Sequence, residues 1–290
     1  MSEIPEIVRL ACEEKLGASV SASTALTGGD INEARLLVTD QGRFFLKMND
    51  DPALAPVVFR KEAGGLEMLK KAGALRVPEV VAEGTVGEYG FLILEYIEPG
   101  APSPVFWRYF GAGLADLHRS TASAFGLPED NFIGSLEQKN TLAPDWPAFF
   151  VGSRLEPMVN MAYKSGRFEL KDVLAFQQLY RKMAGLFPKE QPALIHGDLW
   201  NGNYLVDRQG APVLIDPAVS YAHREMDLAM TRLFGGFPPE FYEAYHESYP
   251  LEAGWRERLP VGQLYYLLAH VNMFGGSYVQ QCRAILKGIA

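Results

Sequence analysis

The stretch His196-Gly-Asp-Leu-Trp-Asn-Gly-Asn203, together with the hydrophobic segment that ends at Asp216, decides the fold of this chain. Two short strands are predicted between these points, at 204–206 and 213–215, joined by a turn rich in Asp, Gln and Gly. Antiparallel strands joined by a turn bring their outer ends together, so we expect Asn203 and Asp216 to lie side by side. The pattern therefore gathers two carboxylates and one amide oxygen around one small volume.

These side chains have the chemistry of a phosphoryl-transfer site. Magnesium prefers oxygen ligands and keeps several waters, with phosphate oxygens completing its shell, so Asn203 and Asp216 suit it. Asp198, held nearby but not on the metal, can accept the proton of an attacking hydroxyl. Taken singly, the Asp and Asn residues are also typical of caps and turns, and a buried His196 is typical of a hydrogen-bonded scaffold. Their joint spacing favours catalysis, with His196 in structural support.

The same spacing is typical of protein kinases, in which a catalytic loop is followed by a strand that ends in a metal-binding Asp. Two positions differ, because Gly197 replaces the Arg before the base and Asp216-Pro217 replaces Asp-Phe-Gly. Both changes are typical of kinases that act on small molecules. The sequence has no Gly-x-x-x-x-Gly-Lys-Ser/Thr stretch, which disfavours a Walker-type fold.

Lys47 and Glu62 are the candidates for positioning the phosphates of ATP. Lys47 lies in the apolar strand predicted at 43–48, where a buried ammonium needs a partner. A strand lysine whose tip reaches solvent is the alternative interpretation. We expect Glu62, at the start of the following predicted helix, to pair with Lys47 and turn it toward the α- and β-phosphates.

Two further segments are predicted to contact the nucleotide. Gly28 and Gly29 precede the first strand pair and would let backbone N–H groups approach phosphates, although Gly-Gly-Asp is also a common turn. Glu95, Tyr96 and Ile97 stand just before a proline-rich link, where backbone groups of a hinge could meet adenine. We assign all five to ATP binding.

The predicted secondary structure changes at the proline-rich link, residues 99–104. Strands are predicted before it at 35–39, 43–48, 77–81 and 90–97, with one helix at 60–71 between them and another helical pattern at 4–16. Mainly helical patterns follow it. We therefore predict an α+β, bilobal protein-kinase-like fold, with a small β-rich N-lobe at 1–98 and a larger mainly helical C-lobe at 99–290. A cleft between two such lobes is a common ligand site.

Composition narrows the class of protein. The net charge of −8 argues against nucleic acid as a partner, and no stretch approaches the ~18 apolar residues that span a membrane. Cys12 and Cys282 stand alone, which indicates a reducing compartment. We expect a cytoplasmic monomer without membrane partners.

With these pieces placed, the chain resembles the fructosamine kinase, or ketosamine-3-kinase, family, within the aminoglycoside-phosphotransferase-like branch of the kinase fold. Trp200 inside the catalytic loop separates this family from other His-Gly-Asp kinases. The resemblance also rests on the segments 131–140, 216–231, 234–237 and 241–245. It implies ATP- and magnesium-dependent phosphorylation of a hydroxyl, O3, of a sugar–amine adduct such as fructosamine or ribulosamine, free or on a protein. The unstable phosphate then leaves, so the reaction serves deglycation.

The resemblance also assigns further residues. Gly134, Gln138 and Asn140 match a family segment near the acceptor pocket and are predicted to contact substrate. Trp200 either stacks on a sugar face or packs in the core beside the loop. Asp227 is expected to support the catalytic loop by hydrogen bonding.

Two departures from the family pattern stand out. The segment at 28–33 lacks the cysteine that permits redox-linked dimers in some members, so we predict no such switch. Gly262 stands where a large aromatic residue is expected, and we expect its small size to open or reshape the acceptor pocket.

Other functions stay open at this point. A kinase of the same fold could act on another hydroxylated amine, such as an aminoglycoside, thiamine or choline, although Trp200 speaks against it. A catalytically inactive nucleotide-binding regulator is expected to lack the base or a metal ligand, and this sequence has all of them. A metal-dependent hydrolase would leave the pair of Lys47 and Glu62 without a role. Among ketosamines, the physiological acceptor is not specified.

Overall fold

The computed structural model describes residues 4–26, 32–52 and 54–289, and the predicted phosphate-loop residues Gly28 and Gly29 lie outside them. The chain forms two compact units. The first comprises the residues up to 106 together with 204–217, and the second comprises 107–203 together with 218–290. The predicted division into a nucleotide-binding lobe at 1–98 and a catalytic and substrate-binding lobe at 99–290 stays a prediction.

The first unit contains the strands β1 (Val20–Ala25), β2 (Glu33–Thr39), β3 (Gly42–Asn49), β4 (Val80–Val86) and β5 (Tyr89–Glu95) and the helices α1 (Glu6–Leu16) and α2 (Ala55–Ala72). The strands form a five-stranded antiparallel sheet in the order β1-β2-β3-β5-β4. Side chains alternate between its two faces, and Leu37, Leu46 and Ile93 lie buried on the face that α1 covers.

Helix α2 begins before the predicted start at residue 60. Pro56 lies in its first turn, where the missing N–H costs no hydrogen bond, and Gly73 ends it in the left-handed conformation. Glu62 is therefore the eighth residue of the helix and does not lie at its start as predicted. The prediction of a strand at 77–81 was also displaced, because β4 begins only after Pro78, which has no N–H to donate.

A β-hairpin of β9 (Tyr204–Val206) and β10 (Pro212–Leu214) completes the first unit. Tyr204 pairs with Leu214 across it. The N–H of Leu214 donates to the carbonyl of Arg76 at 2.8 Å, and the N–H of Gly100 donates to the carbonyl of Val206 at 2.9 Å. The hairpin that precedes Asp216 is thus tied by its backbone to the first unit, although it comes late in the sequence.

The second unit is mainly helical, and α9 lies in its core with Leu264, Tyr265, Tyr266 and Leu268 buried. No described helix has the length and apolar character needed to cross a membrane. The helices are α3 (Phe106–Leu117), α4 (Trp146–Phe149), a π-helix (Phe150–Leu155), α5 (Glu156–Lys164), α6 (Leu170–Lys182), a 3₁₀ turn (Met183–Gly185), α7 (Glu225–Thr231), α8 (Pro239–Ser248), α9 (Trp255–Phe274) and α10 (Ser277–Ile289). The strands pair as β6 (Asn131–Ile133) with β7 (Leu136–Gln138), and β8 (Ala193–Ile195) with β11 (Ser220–Ala222).

Two helical glycines give opposite stability predictions. A Cβ added to the buried Gly111 in α3 would lie 2.1 Å from the carbonyl oxygen of Phe241, whereas one added to Gly64 in α2 meets nothing within 4 Å. We expect Gly111→Ala to lower the free energy of unfolding by about 1–3 kcal/mol through overpacking. Gly64→Ala should raise it by about 0.5–1 kcal/mol. Urea denaturation measures both, and a Gly111→Ala protein as stable as Gly64→Ala would contradict the close packing of α3 on α8.

Candidate active site

Lys47 forms a buried ion-pair centre in the first unit. Its Nζ donates to Glu62 Oε1 at 2.7 Å and to Asp216 Oδ1 at 2.5 Å, and little of its side chain is exposed. Burial alone would lower the pKa of Lys47, but the carboxylates of Asp216 and Glu62 raise it well above its usual value. The lysine therefore stays protonated. The predicted pairing with Glu62 is present, and the bond to Asp216 was not foreseen.

Asp216 has an unusual backbone. Among the described residues it is the one non-glycine with a positive φ, 55°, a conformation that short polar side chains tolerate best. Its side chain is 40% exposed although Lys47 holds one carboxylate oxygen. A strained residue presenting a half-exposed carboxylate is typical of functional sites.

The predicted hinge begins at Glu95, the last residue of β5. Glu95 accepts a hydrogen bond from Arg76 Nη2 at 2.6 Å, so its side chain braces the fold. Arg43 lies over the ring of Tyr96 at 5.2 Å, and Ile97 is buried. The three side chains are therefore engaged within the first unit, and adenine binding by the backbone of 95–97 stays a prediction.

In the second unit, the carboxylate of Asp227 organises the catalytic loop. Oδ2 accepts the backbone N–H of His196 and Oδ1 accepts that of Gly197, each at 2.8 Å. His118 Nε2 donates to Oδ2 at 3.1 Å, and its Nδ1 lies 2.8 Å from the hydroxyl of Tyr245. Asp227, His118 and His196 are all fully buried. Asp227 thus has the geometry of the supporting residue that the sequence indicated.

The charge of Asp227 is stabilised by these partners. Burial raises the pKa of its carboxyl, but the hydrogen bond and charge of His118 and the N–H of Gly197 together hold that pKa below its usual value. The carboxylate is therefore ionised at neutral pH, where an ionised acceptor makes the stronger hydrogen bonds to the loop.

Gly197 has a steric reason to be glycine. Its φ is 85°, and an added Cβ would lie 2.0 Å from the carbonyl oxygen of Ala218. The N–H of Ala218 in turn donates to the carbonyl of His196 at 2.9 Å. No side chain fits between these two backbones, which accounts for the replacement of the kinase Arg at this position.

Asn203 fixes the conformation of Asp198. Its Nδ2 donates to the backbone carbonyl of Asp198 at 2.7 Å and to its Oδ2 at 2.9 Å. The N–H of Asp198 donates to His196 Nδ1 at 3.3 Å. Because the amide nitrogen of Asn203 is used in this way, its oxygen is the atom left for a metal, and an amide oxygen is a ligand type that Mg²⁺ accepts. The pairing of Asn203 with Asp216 as magnesium ligands stays a prediction.

Trp200 lies at the surface of the second unit. The residue is 36% exposed, so the indole is not enclosed in the core and part of it faces solvent. Its contact with a sugar stays a prediction. Gly202 leaves room for the indole, since an added Cβ would lie 2.4 Å from it, and Phe234 meets the indole edge-on with ring centroids 6.0 Å apart. Phe234 in turn contacts His270 at 4.8 Å between centroids. Sequence reasoning missed His270, because nothing in the helical pattern of α9 distinguishes it.

The predicted substrate segment forms the β6–β7 hairpin and the residues after it. Gly134 turns the hairpin at a φ of 57° and is exposed. Gln138 and Asn140 are buried, and their amides bond to other protein groups. A direct contact of these two side chains with substrate stays a prediction, and the geometry favours a supporting role.

The expected opening at Gly262 is not found. An added Cβ would lie 2.9 Å from the Cβ of Ala229 and 3.4 Å from Met226 Sδ, so helix α7 occupies the space. The small residue permits close packing of α9 on α7 and does not enlarge a pocket there.

Comparison with known proteins gives this geometry a family. The sequence pattern of the fructosamine kinase family matches residues 5–290. The chain belongs to the fructosamine kinase family. A probable ketoamine kinase of Enterococcus faecium is 43% identical over 266 residues, which cover 90% of this chain and 93% of that one. Membership makes the chain an ATP-dependent phosphotransferase.

Solved structures agree on the fold. A candidate fructosamine-3-kinase from Thermobifida fusca superimposes with a TM-score of 0.86 at 35% identity, covering 97% of this chain and 98% of that one. A thermostable mutant of the aminoglycoside phosphotransferase APH(4)-Ia, in complex with ADP and hygromycin B, gives a TM-score of 0.64 at 18% identity, with coverages of 98% and 99%. The second likeness shows the kinase-like α+β fold alone.

Asp227→Asn tests the support of the loop. We expect a loss on the order of 2–4 kcal/mol in the free energy of unfolding at pH 7, because a buried charged acceptor is removed. Stability that depends on a carboxylate with a lowered pKa is present above the usual aspartate value of ~3.9 and is lost as the pH falls below it. The difference between variant and wild type should therefore narrow in acid.

The control is Asp172→Asn, which removes another buried aspartate of the same unit, bonded to Arg283. This variant should lose stability but keep turnover, whereas Asp227→Asn should lose both. Denaturation from pH 7 down to about pH 3 and steady-state kinetics at pH 7 measure these effects. A gap that stays constant in acid would contradict an ionised Asp227.

Proposed function

We propose that this chain transfers the γ-phosphoryl group of ATP to a hydroxyl, O3, of a ketosamine such as fructosamine or ribulosamine. The observation that carries the proposal is the fixed carboxylate of Asp198, bonded to Asn203 in a loop that Asp227 holds in place. Family membership supports the ketosamine as substrate class. The product phosphate is unstable, so its loss would free the amine and reverse glycation.

The nucleotide is assigned to the first unit. Lys47, held by Glu62, would meet the α- and β-phosphates, with Gly28 and Gly29 nearby in sequence and the backbone of 95–97 on adenine. Asn203 and Asp216 would hold Mg²⁺, which neutralises charge on the phosphates when bound. Asn203 directly precedes β9, and Asp216 follows β10 by two residues, which supports this pairing.

Asp198 is proposed as the general base. The substrate hydroxyl would give its proton to the Asp198 carboxylate while its oxygen bonds to the γ-phosphorus. The bond from that phosphorus to the bridging oxygen breaks, and its electron pair leaves with ADP. The hydrogen bond from Asn203 Nδ2 to Asp198 Oδ2 keeps the carboxylate in one rotamer, so little reorganisation is needed as the proton moves.

Trp200 is the proposed sugar-binding side chain. Its exposed indole offers an apolar surface on which the C–H groups of a sugar ring or chain can pack. From the resemblance to the family, we also propose that Gly134, Gln138 and Asn140 belong to the acceptor pocket. Whether the acceptor is a small metabolite, a free glycated amino acid or a glycated protein is left to experiment, and a cytoplasmic monomer stays a prediction.

An acceptor panel tests the substrate class. ATP consumption is measured with ribulosyl-lysine, fructosyl-lysine, an aminoglycoside, thiamine and choline, each with magnesium. We expect consumption with one or both ketosamines only. Robust consumption with another alcohol and none with the ketosamines would replace the proposed substrate with that alcohol.

Asp198→Asn tests the base. The amide cannot accept the proton, so we expect kcat to fall by roughly 10²- to 10⁴-fold. Binding of ATP, measured by calorimetry, should stay close to wild type, because the assigned phosphate contacts lie elsewhere. Asp116→Asn, at an exposed aspartate of the same unit, is the matched control and should leave turnover unchanged. Near-wild-type turnover in Asp198→Asn would exclude Asp198 as the base.

A further inference from the structure

Arg154 is a buried arginine whose hydrogen-bond acceptors are neutral. It lies in the π-helix and is 3% exposed. Its guanidinium donates to the carbonyl oxygens of Lys139 and Ser153 and, at 2.8 Å, to Asn140 Oδ1. Burial lowers the pKa of Arg154, although an arginine stays charged at any pH at which the protein is folded. A buried cation is costly, so its presence calls for a reason beyond packing.

Two aromatic rings and the nearby carboxylate of Asp130 partly compensate the charge of Arg154. The guanidinium lies 4.5 Å from the ring centroid of Phe149 and 5.3 Å from that of Tyr265. Such contacts suit the flat, weakly hydrated guanidinium better than an ammonium group. The planar fork is thereby held in one orientation, with its N–H groups directed at the chain that follows β7. π-helices are uncommon and occur frequently at functional sites.

From Arg154 a chain of buried amides runs into the β6–β7 hairpin. Asn140 Nδ2 donates to Asn131 Oδ1 at 2.7 Å, and Gln138 Nε2 donates to the same oxygen at 2.8 Å. Tyr265 donates its hydroxyl to Gln138 Oε1 at 2.7 Å. Each amide is fixed by its neighbour, so removing the arginine would leave Asn140 Oδ1 without the donor that orients it.

The other end of this network reaches the residues beside the catalytic loop. Asn131 Nδ2 donates to the carbonyl of Val219 at 2.9 Å, and Gln138 Nε2 donates to that of Ala218 at 3.1 Å. Ala218 is bonded to the carbonyl of His196, two residues before Asp198. The base of the hairpin is thus locked to the catalytic loop, while its tip at Gly134 and Ser135 is exposed.

We infer that Arg154 is a positioning residue for the acceptor alcohol, acting through the β6–β7 hairpin. By clamping the hairpin base, it sets the place of the tip at Gly134 and Ser135, which is the exposed part of the segment proposed for the acceptor and is therefore assigned to acceptor contact. This inference rests on the proposed function, which supplies the acceptor. It reassigns Gln138 and Asn140 from substrate contact to the clamp that holds the contacting tip.

Arg154→Met is the direct test, since methionine keeps much of the volume and removes the donors. We expect the KM for the acceptor to rise about tenfold or more, while the KM for ATP and the slow ATP hydrolysis without acceptor stay within about twofold of wild type. Amide hydrogen exchange should speed up at 131–140. Arg154→Lys should not restore the acceptor KM, because an ammonium cannot reproduce the planar fork.

The control is Arg283→Met, which breaks the ion pair with Asp172 in the same unit and does not touch the hairpin. It should be destabilised yet keep both KM values and the protection of 131–140. If Arg154→Met does not fold, Tyr265→Phe removes one hydrogen bond of the network and should raise the acceptor KM about threefold to tenfold.

An equal rise in the KM for ATP and the KM for the acceptor, in Arg154→Met or in Tyr265→Phe, would overturn the inference and leave Arg154 with a purely structural role. An unchanged KM for the acceptor would overturn it as well. The acceptor is whichever alcohol the wild-type enzyme phosphorylates in the panel. A failure with ketosamines would therefore reject the proposed function, while the role of Arg154 is still decided on the alcohol that replaces them.

Discussion

The carboxylate of Asp227 accepts the backbone N–H groups of His196 and Gly197 at 2.8 Å each, in a fully buried position. Everything proposed for the second unit depends on this interaction. It holds the backbone just before Asp198 at the left-handed turn of Gly197, where only glycine fits against Ala218. His118 donates to the same carboxylate and is also fully buried, so the negative charge of Asp227 is stabilised inside the protein and not by solvent. A loop held by backbone donors can place a base without relying on flexible side chains.

In the first unit, ion pairs and not backbone donors hold the buried charged side chain in place. Lys47 is buried between two carboxylates, so its charge is retained and its direction is set by Glu62. The bond from Lys47 to Asp216 joins the lysine that is proposed to position the nucleotide to the proposed metal ligand within one unit. Electrostatic preorganisation of this kind is what phosphoryl transfer requires, because the reaction needs positioning and charge neutralisation more than covalent assistance.

Much of this could be predicted from sequence because the decisive constraints are local. A lysine in an apolar strand needs an acid, and the spacing of Asp198, Asn203 and Asp216 reflects one loop and one hairpin. The start of α2 was misplaced because Pro56 was not recognised as a first-turn residue. Strands β6 and β7 have three residues each and were not predicted, because so short a segment carries little periodicity. Strands β9 and β10 are equally short and were found only through the loop motif and the turn that flank them. The role of Gln138 depends on partners far away in sequence, which no local pattern reveals.

The measurement closest to the central claim is analysis of the product formed from ATP, magnesium and ribulosyl-lysine. Tandem mass spectrometry with phosphorus NMR would show whether one phosphate is added and on which oxygen. The account predicts a single phosphate on O3 with the wild-type enzyme. A phosphate on another oxygen would contradict the assigned acceptor geometry, and a ketosamine left unmodified while ATP is consumed by another alcohol would contradict the proposed function.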